Sequence, residues 1–146
     1  MTYTTGGLQV YKDLEITSLS WSGTPTLNTY LTFSIEDELP SAFITSLTNT
    51  NTEINLPAGN YFSQAYVDFT RTYTSDVFEF KWEVDGSIVG HIGQTDVMNS
   101  RSSDVAEAAF ELSSAGVLRL KVTGASGSAV TLNSSHCMIL IWRTSA

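Results

Sequence analysis

The amino-acid sequence predicts an all-β protein that forms an antiparallel sandwich or barrel, and three observations lead to this prediction. Apolar side chains recur at every second position through most of the chain, which is the period of a strand with one buried face. Turn-forming residues follow one another at intervals of about 8 to 12 residues, as in folds built from short strands. No long segment carries the 3.6-residue period of a helix.

The clearest strand is predicted at 76–84, where aromatic and charged side chains alternate. Phe78, Phe80 and Trp82 share one face of this strand, and we expect that face to be buried. The Asp85-Gly86 pair that follows predicts a two-residue hairpin, because a type I′ turn requires two positive φ angles.

The remaining strands are predicted, in chain order, at 30–35, 42–47, 52–56, 61–70, 87–92, 106–112, 117–122 and 137–142. A second hairpin is predicted at 113–116, joining the strands on either side of it. Residues 102–111 also allow a helix, because the stretch is rich in alanine. We expect a strand there, since strands on both sides and short connections leave little room for a helix in the same sheet.

The first part of the chain differs from the rest, because its β-prone pieces are short and interrupted by glycine and proline. We predict an extended N-terminal arm or edge strand at residues 1–26 and one sandwich domain at residues 27–146. A domain of this size buries about two-thirds of its unfolded surface and needs no disulfide to be stable.

The 146-residue chain is poor in charge and rich in hydroxyl groups. Charged residues make up 15% of it, against about 25% in an average protein, whereas serine and threonine occupy 38 positions. The net charge is -8 and the basic residues are scattered, so we predict no nucleic-acid partner. The aromatic content excludes a disordered acidic chain. We recognise neither an export signal nor an apolar membrane span, and we expect no membrane partner.

The sequence contains no recognisable catalytic or cofactor-binding motif, and we predict a protein without enzymatic activity, cofactor or metal. His91 and His136 share no motif, and nucleophile, zinc and phosphate-loop signatures do not occur. His136 and Cys137 are neighbours, but adjacent side chains of a strand point to opposite faces and cannot act as base and nucleophile. We expect Cys137 to be a buried apolar side chain.

The closing strand is apolar on both faces, with Cys137, Ile139 and Ile141 on one side and Met138, Leu140 and Trp142 on the other. Its second face needs cover, either from the N-terminal arm of the same chain or from another subunit. The predicted strand 61–70 favours a subunit interface, because its outer face carries the mixture of aromatic and amide side chains that is typical of interface cores. The residues that we predict for this interface are Phe62, Gln64, Tyr66, Cys137, Ile139 and Ile141.

Several of these segments resemble the trimeric jelly rolls of the tumour-necrosis-factor and complement-globular-head type. The resemblance covers residues 42–142 and rests on four pieces: the entry to a long strand at 56–62, the Asp85-Gly86 hairpin, the alternating strand at 117–122 and the closing strand at 134–141. It implies a jelly-roll fold and a compact homotrimer in which the closing strand and neighbouring aromatic residues pack around the threefold axis. Phe62, Tyr66 and one face of 137–142 would then be axial contacts.

A chain of this kind, without a collagen-like stalk or an export signal, looks like the virion proteins of tailed bacteriophages, in particular the trimeric capsid decoration, or cement, proteins. This resemblance implies a structural protein that is made in the host cytoplasm and placed on the capsid surface of the virion. There it would bind the major capsid protein and reinforce the head. We expect the arm, through Tyr3, Leu8, Val10 and Tyr11, to supply edge-strand hydrogen bonds and small apolar anchors to that partner.

Two other classes of function stay open at this point. One is a receptor- or carbohydrate-binding module of a phage fibre or tail, because Trp21, Tyr73 and Trp142 could stack on sugars. The other is a structural adaptor at a tail or baseplate, which would be present in far fewer copies per particle than a cement protein.

Overall fold

The computed structural model describes residues 11–16, 18–20, 22–23, 26–34, 46–48, 51–71, 77–95, 101–125, 130–133 and 136–145. Its strands are, in chain order, β1 (Tyr11–Ile16), β2 (Ser18–Ser20), β3 (Ser22–Gly23), β4 (Thr32–Ser34), β5 (Ser46–Thr48), β6 (Glu53–Leu56), β7 (Gly59–Arg71), β8 (Phe78–Val84), β9 (Ser87–Thr95), β10 (Arg101–Leu112), β11 (Gly116–Ala125), β12 (Val130–Leu132) and β13 (Met138–Ser145). Within these ranges, no helix is long and apolar enough to cross a membrane.

The strands form two main sheets, and every pairing between the described strands is antiparallel. Sheet I has the order β1-β13-β7-β10. The short strand β12 pairs with residues 69–71 of β7 and also with β3. Sheet II has the order β5-β6-β11-β8-β9, and β2 pairs with β4 apart from both. The predicted all-β antiparallel sandwich is confirmed.

The hydrophobic core contains residues of both sheets, because the long strands bury every second side chain. The alternation predicted for β8 is confirmed, since Phe78, Phe80 and Trp82 are completely buried. Trp82 also links the sheets, because its indole Nε1–H donates a hydrogen bond to the backbone oxygen of Ala106 at 3.1 Å. Ala106 lies in β10, so the alanine-rich stretch is a strand, as expected, and not a helix.

The hairpin predicted at Asp85-Gly86 is confirmed, and it joins β8 to β9. Both residues have a positive φ, 47° and 85°, as the turn requires. The Asp85 carboxylate accepts a hydrogen bond from the backbone N–H of Val117 at 2.8 Å, which ties the turn to β11.

The second hairpin predicted, at 113–116, is wrong. β10 pairs with β7 in sheet I, whereas β11 pairs with β6 and β8 in sheet II. The short connection therefore crosses from one sheet to the other. Both flanking strands alternate apolar and polar residues, and this alternation is the same whether the strand beyond the turn lies in the same sheet or in the facing one.

Within the segment 1–26, which was predicted to be an arm or edge strand, Tyr11–Ile16 is a strand of the sandwich. This strand, β1, pairs with β13 and lies at the end of sheet I, as the edge-strand alternative required. β2 and β3 are also paired, with β4 and β12 respectively. Residues 1–10 lie outside the described residues.

Residues 28–33, which we call the strap, run along β11 of sheet II. The N–H of Leu31 donates to the backbone oxygen of Leu120, and the N–H of Val122 donates to that of Thr29, both at 2.9 Å. Leu31 is completely buried. The strap thereby adds Leu31 to the core and places the Tyr30 side chain beside the charged residues on the outer face of sheet II.

Candidate functional site

Three rows of side chains cover the outer face of sheet I at its centre. β7 lies between β10 and β13, so each outward residue of β7 has a partner on both sides. The rows are Val105, Tyr66 and Met138; Glu107, Gln64 and Leu140; and Ala109, Phe62 and Trp142. We call these nine residues the aromatic face.

Two of the three rows of the aromatic face consist of aromatic and aliphatic side chains. The rings of Phe62 and Trp142 pack against each other with centroids 5.4 Å apart and an interplanar angle of 39°. Both rings are only half-buried, and Met138, in another row, is 36% exposed. In the central row, Gln64 Nε2 donates a hydrogen bond to Glu107 Oε1 at 2.6 Å. The result is two rows of aromatic and aliphatic side chains with a row between them that contains one polar pair.

The outer face of sheet II is charged instead. The carboxylate of Glu83, which is 1% exposed, accepts hydrogen bonds from Lys121 Nζ at 2.7 Å and from Arg119 Nη1 at 3.2 Å. Tyr30 of the strap donates its hydroxyl to Glu83 at 3.1 Å, and its ring lies 5.3 Å from the guanidinium carbon of Arg119. Arg119 also binds Glu53, with its Nε 3.0 Å from the carboxylate. The charges on this face therefore compensate one another within the chain.

Glu83 should stabilise the fold at neutral pH and lose that effect in acid. Burial by itself raises the pKa of Glu83, but hydrogen bonds from Lys121, Tyr30 and Arg119 outweigh it and hold the pKa below the usual 4.5. A carboxylate whose pKa falls on folding stabilises above its unfolded pKa and loses the effect as the pH drops through its folded pKa. We expect Glu83→Gln to lower the free energy of unfolding by about 2 kcal/mol at neutral pH.

Urea titrations at a series of pH values check this prediction. The difference between the two proteins should shrink once the pH falls below 4.5. Glu111→Gln is the matched control, because Glu111 is an exposed carboxylate at the end of β10, and we expect it to change stability by less than about 0.5 kcal/mol. A Glu83→Gln difference that is independent of pH would contradict the account of this cluster.

The three residues predicted for an interface on β7 do lie together. Phe62, Gln64 and Tyr66 point to the outer side of sheet I and occupy the middle position of the three rows. The core side of β7 carries Tyr61 and Ala65, as the alternation predicted.

The prediction chose the wrong face of the closing strand. The residues named for the interface lie in the core of their own chain, where Cys137 is 3% exposed, Ile139 0% and Ile141 1%. They are therefore shielded from any other subunit. The alternate residues of β13 are the ones on the aromatic face. Since both sides of the strand are apolar, hydrophobicity alone could not decide which one faces the core.

The predicted capsid-binding residues fall almost entirely outside the described part of the chain. Tyr11 is the exception, and its backbone pairs with Arg143 of β13. It is thus part of sheet I and not of a free arm. Tyr3, Leu8 and Val10 lie outside the described residues. Of the three residues considered for sugar stacking, Trp21 and Tyr73 also lie outside the described residues. The third, Trp142, packs against Phe62.

The sequence did not reveal the contribution of β10 to this face. Val105, Glu107 and Ala109 alternate with the buried Ala106 and Ala108. The two faces of β10 differ little in hydrophobicity, because one carries alanines and the other carries Val105, Glu107 and Ala109. Only the long-range register with β7 places these residues on the aromatic face.

The two histidines and the cysteine differ in their exposure to solvent. His91 and His136 are exposed, whereas Cys137 is a buried thiol that contacts the backbone oxygens of Asp68 and Asn133 at 3.5 Å. In the part of the chain that the structure describes, no three His, Cys, Asp or Glu residues are grouped so that they could hold a metal ion.

Solved structures of other proteins share this arrangement of strands. No protein-family model matches the chain, and no curated protein matches its sequence. Murine APRIL is 11% identical with a TM-score of 0.55, over 86% of this chain and 98% of that one. The fold is a tumour-necrosis-factor-like jelly roll. The Eiger TNF from S. frugiperda shares it, with 12% identity and a TM-score of 0.56 over 92% of this chain and 88% of that one. The predicted jelly roll is confirmed, and the similarity is one of fold.

Proposed function

We propose that the chain is a structural protein that assembles as a homotrimer through the aromatic face. The observation that carries the proposal is the contrast between the two outer faces of the sandwich. On sheet II, Glu83 and Arg119 belong to an ion-pair cluster that needs no partner from outside the chain. On sheet I, the large rings of Phe62 and Trp142 lie side by side and are only half-buried. Burying such apolar surface is what drives stable association.

A threefold arrangement is supported by the resemblance of the sequence to trimeric jelly rolls and by the fold. In the resembled family, the closing strand and its aromatic neighbours pack around the axis, and here β13 and β7 supply the aromatic face. The low charge of the chain fits the same proposal. A surface that is covered in the assembled state does not need the charged residues that keep an exposed surface soluble.

The more specific proposal is that the trimer is a capsid decoration protein of a tailed bacteriophage. It would bind the major capsid protein on the surface of the virion and reinforce the head. Three copies give three equivalent contacts with the capsid, so each contact can be weak while the trimer as a whole binds tightly. The composition, poor in charge and rich in hydroxyl groups, supports this role.

We place the capsid contact at the N-terminal side of sheet I. β1 is the last strand of that sheet, and no described residue pairs with its outer edge. An open edge can accept a strand from a partner protein. Tyr3, Leu8 and Val10, which precede β1, remain the residues that we expect to anchor on the major capsid protein.

Deleting residues 1–10 tests the decoration role, because it leaves β1 and all other described strands in place. We expect the shortened chain to form the same trimer and to lose binding to undecorated phage heads, measured by co-sedimentation. Full-length protein should occupy such heads in hundreds of copies. Unchanged binding by the shortened trimer would contradict the contact that we propose, and a handful of copies per head would contradict decoration.

A further inference from the structure

A cleft opens at one end of sheet II, where β6 ends and β11 begins beside the turn between β8 and β9. It has a volume of about 330 Å³, which is at the small end of the range for ligand pockets. Its walls are mostly apolar and include Leu56, Pro57, Ala115 and Val117. A cleft of this size suits one side chain of a partner and not a long segment.

Asp85 is the only charged residue among the described ones that line the cleft. Its carboxylate oxygen Oδ1 accepts a hydrogen bond from the N–H of Val117, the one donor to this carboxylate in the described part of the chain. The other oxygen, Oδ2, lies over Gly116, because a Cβ added to that glycine would stand 2.6 Å from it. Asp85 is exposed, so Oδ2 is open to a donor from outside the chain.

Two features of the sequence hold this carboxylate in place. The N–H of Asp85 donates to the backbone oxygen of Val117 at 3.1 Å, and the N–H of Val117 donates back to the carboxylate at 2.8 Å. Glycine at position 116 leaves free the space over its Cα that Oδ2 uses. The acceptor is therefore positioned before any ligand arrives, which lowers the entropic cost of binding.

We propose that this cleft binds a lysine side chain of a partner protein. The methylene groups of a lysine can lie along the apolar walls while its ammonium group stays at the exposed rim, on Oδ2 of Asp85. One free oxygen matches a single charged point on a flexible stem, whereas the planar fork of arginine is best matched by both oxygens of a carboxylate. The net charge of -8 attracts a basic partner. The proposal is independent of the homotrimer and of the capsid role.

Titration of the full-length, 15N-labelled chain with Nα-acetyl-lysine amide tests the proposal, with the amide signals of Gly116 and Val117 as reporters. We expect shifts that saturate in the millimolar range, because a single exposed charge pair contributes little. Nα-acetyl-norleucine amide has a similar apolar stem but no ammonium group, and it should bind at least about threefold more weakly. The corresponding arginine amide should also bind more weakly than the lysine probe.

Asp85→Asn removes the charge and keeps the turn, because Asn-Gly also forms a type I′ turn and the amide oxygen can still accept from Val117. We expect it to reduce the affinity for the lysine probe to that for the norleucine probe. Gly116→Ala should weaken lysine binding at least about threefold, since the added Cβ displaces Oδ2. Glu111→Gln is the matched control, because it removes an exposed carboxylate that does not line the cleft, and it should change nothing.

Three results would overturn the proposal. The first is the absence of saturable shifts at Gly116 and Val117 in the wild type. The second is lysine binding that Asp85→Asn leaves unchanged. The third is an arginine probe that binds more tightly than the lysine probe. Each of these results would leave the proposed homotrimer standing, because the cleft residues lie outside the aromatic face.

Discussion

Leu140→Glu should convert the proposed trimer into a folded monomer. Leu140 lies on the aromatic face beside Gln64, in the same row as Glu107. The substitution would bury one further carboxylate per subunit in a row that already contains Glu107, and each buried unpaired charge costs several kcal/mol. We expect the midpoint of trimer formation to rise by at least about 1000-fold, so that sedimentation equilibrium gives the monomer mass at micromolar concentration.

Ile88→Glu is the matched control for this change. Ile88 is an apolar residue of β9 just after the Asp85-Gly86 turn, and it is 43% exposed. The same glutamate there adds the same charge away from the aromatic face, and it should leave the trimer intact. A trimer that tolerates Leu140→Glu, or one that Ile88→Glu dissociates, would show that the chain associates through a different surface.

Gly90→Ala should have the largest effect on the fold itself. Gly90 has a φ of 73°, and a Cβ added there would overlap the backbone oxygen of Glu107 and lie 2.6 Å from Cα of Ala108. The clash is with backbone, which cannot move aside as a flexible side chain can. The strain of a positive φ adds about 1 to 2 kcal/mol. We expect a total loss of at least about 3 kcal/mol in the free energy of unfolding.

Gly86→Ala separates the two causes, because Gly86 also has a positive φ of 85° but has nothing within 4 Å of an added Cβ. It should cost only the conformational strain, about 1 kcal/mol. Urea unfolding of both variants in the Leu140→Glu background measures the folding of the monomer without a contribution from assembly. Equal losses at the two glycines would contradict the close approach of β9 and β10.

Sequence patterns within a few neighbouring residues correctly predicted the turns and strand faces that depend on those residues alone. The hairpin at Asp85-Gly86 follows from two positive φ angles, and the buried face of β8 follows from aromatic residues that alternate with charged ones. The connection at 113–116 looked the same locally but joins strands of different sheets. Which strand pairs with which is a long-range property, and alternation does not encode it.

The burial of the Glu83 carboxylate could not be predicted from the sequence, because it also depends on long-range contacts. The alternation of aromatic and charged residues at 76–84 puts Glu83 on the outer side of β8, which is correct, yet its side chain is almost fully covered. The cover comes from Tyr30 and from Arg119 and Lys121 of β11, residues 36 or more positions away in the chain. Their convergence depends on the strap, which runs along β11 and brings Tyr30 beside Arg119 and Lys121.

The candidate site was half predictable. The two faces of β7 differ in polarity, so Phe62 and Tyr66 could be assigned to its outer face. Both faces of β13 are apolar, and its outward face was assigned wrongly. Glu107 gave no signal at all, because it becomes part of the site only through its register with Gln64. The sequence therefore predicted an interface that includes Phe62, Gln64 and Tyr66 but did not predict that Glu107 belongs to the same surface.

The molecular mass of the full-length chain in solution tests the central claim most directly. Sedimentation equilibrium at neutral pH, from low micromolar concentration upward, needs neither a capsid nor a partner protein. We predict a single species with three times the chain mass of 15.9 kDa. A species that stays at 15.9 kDa across the same range would contradict association through the aromatic face.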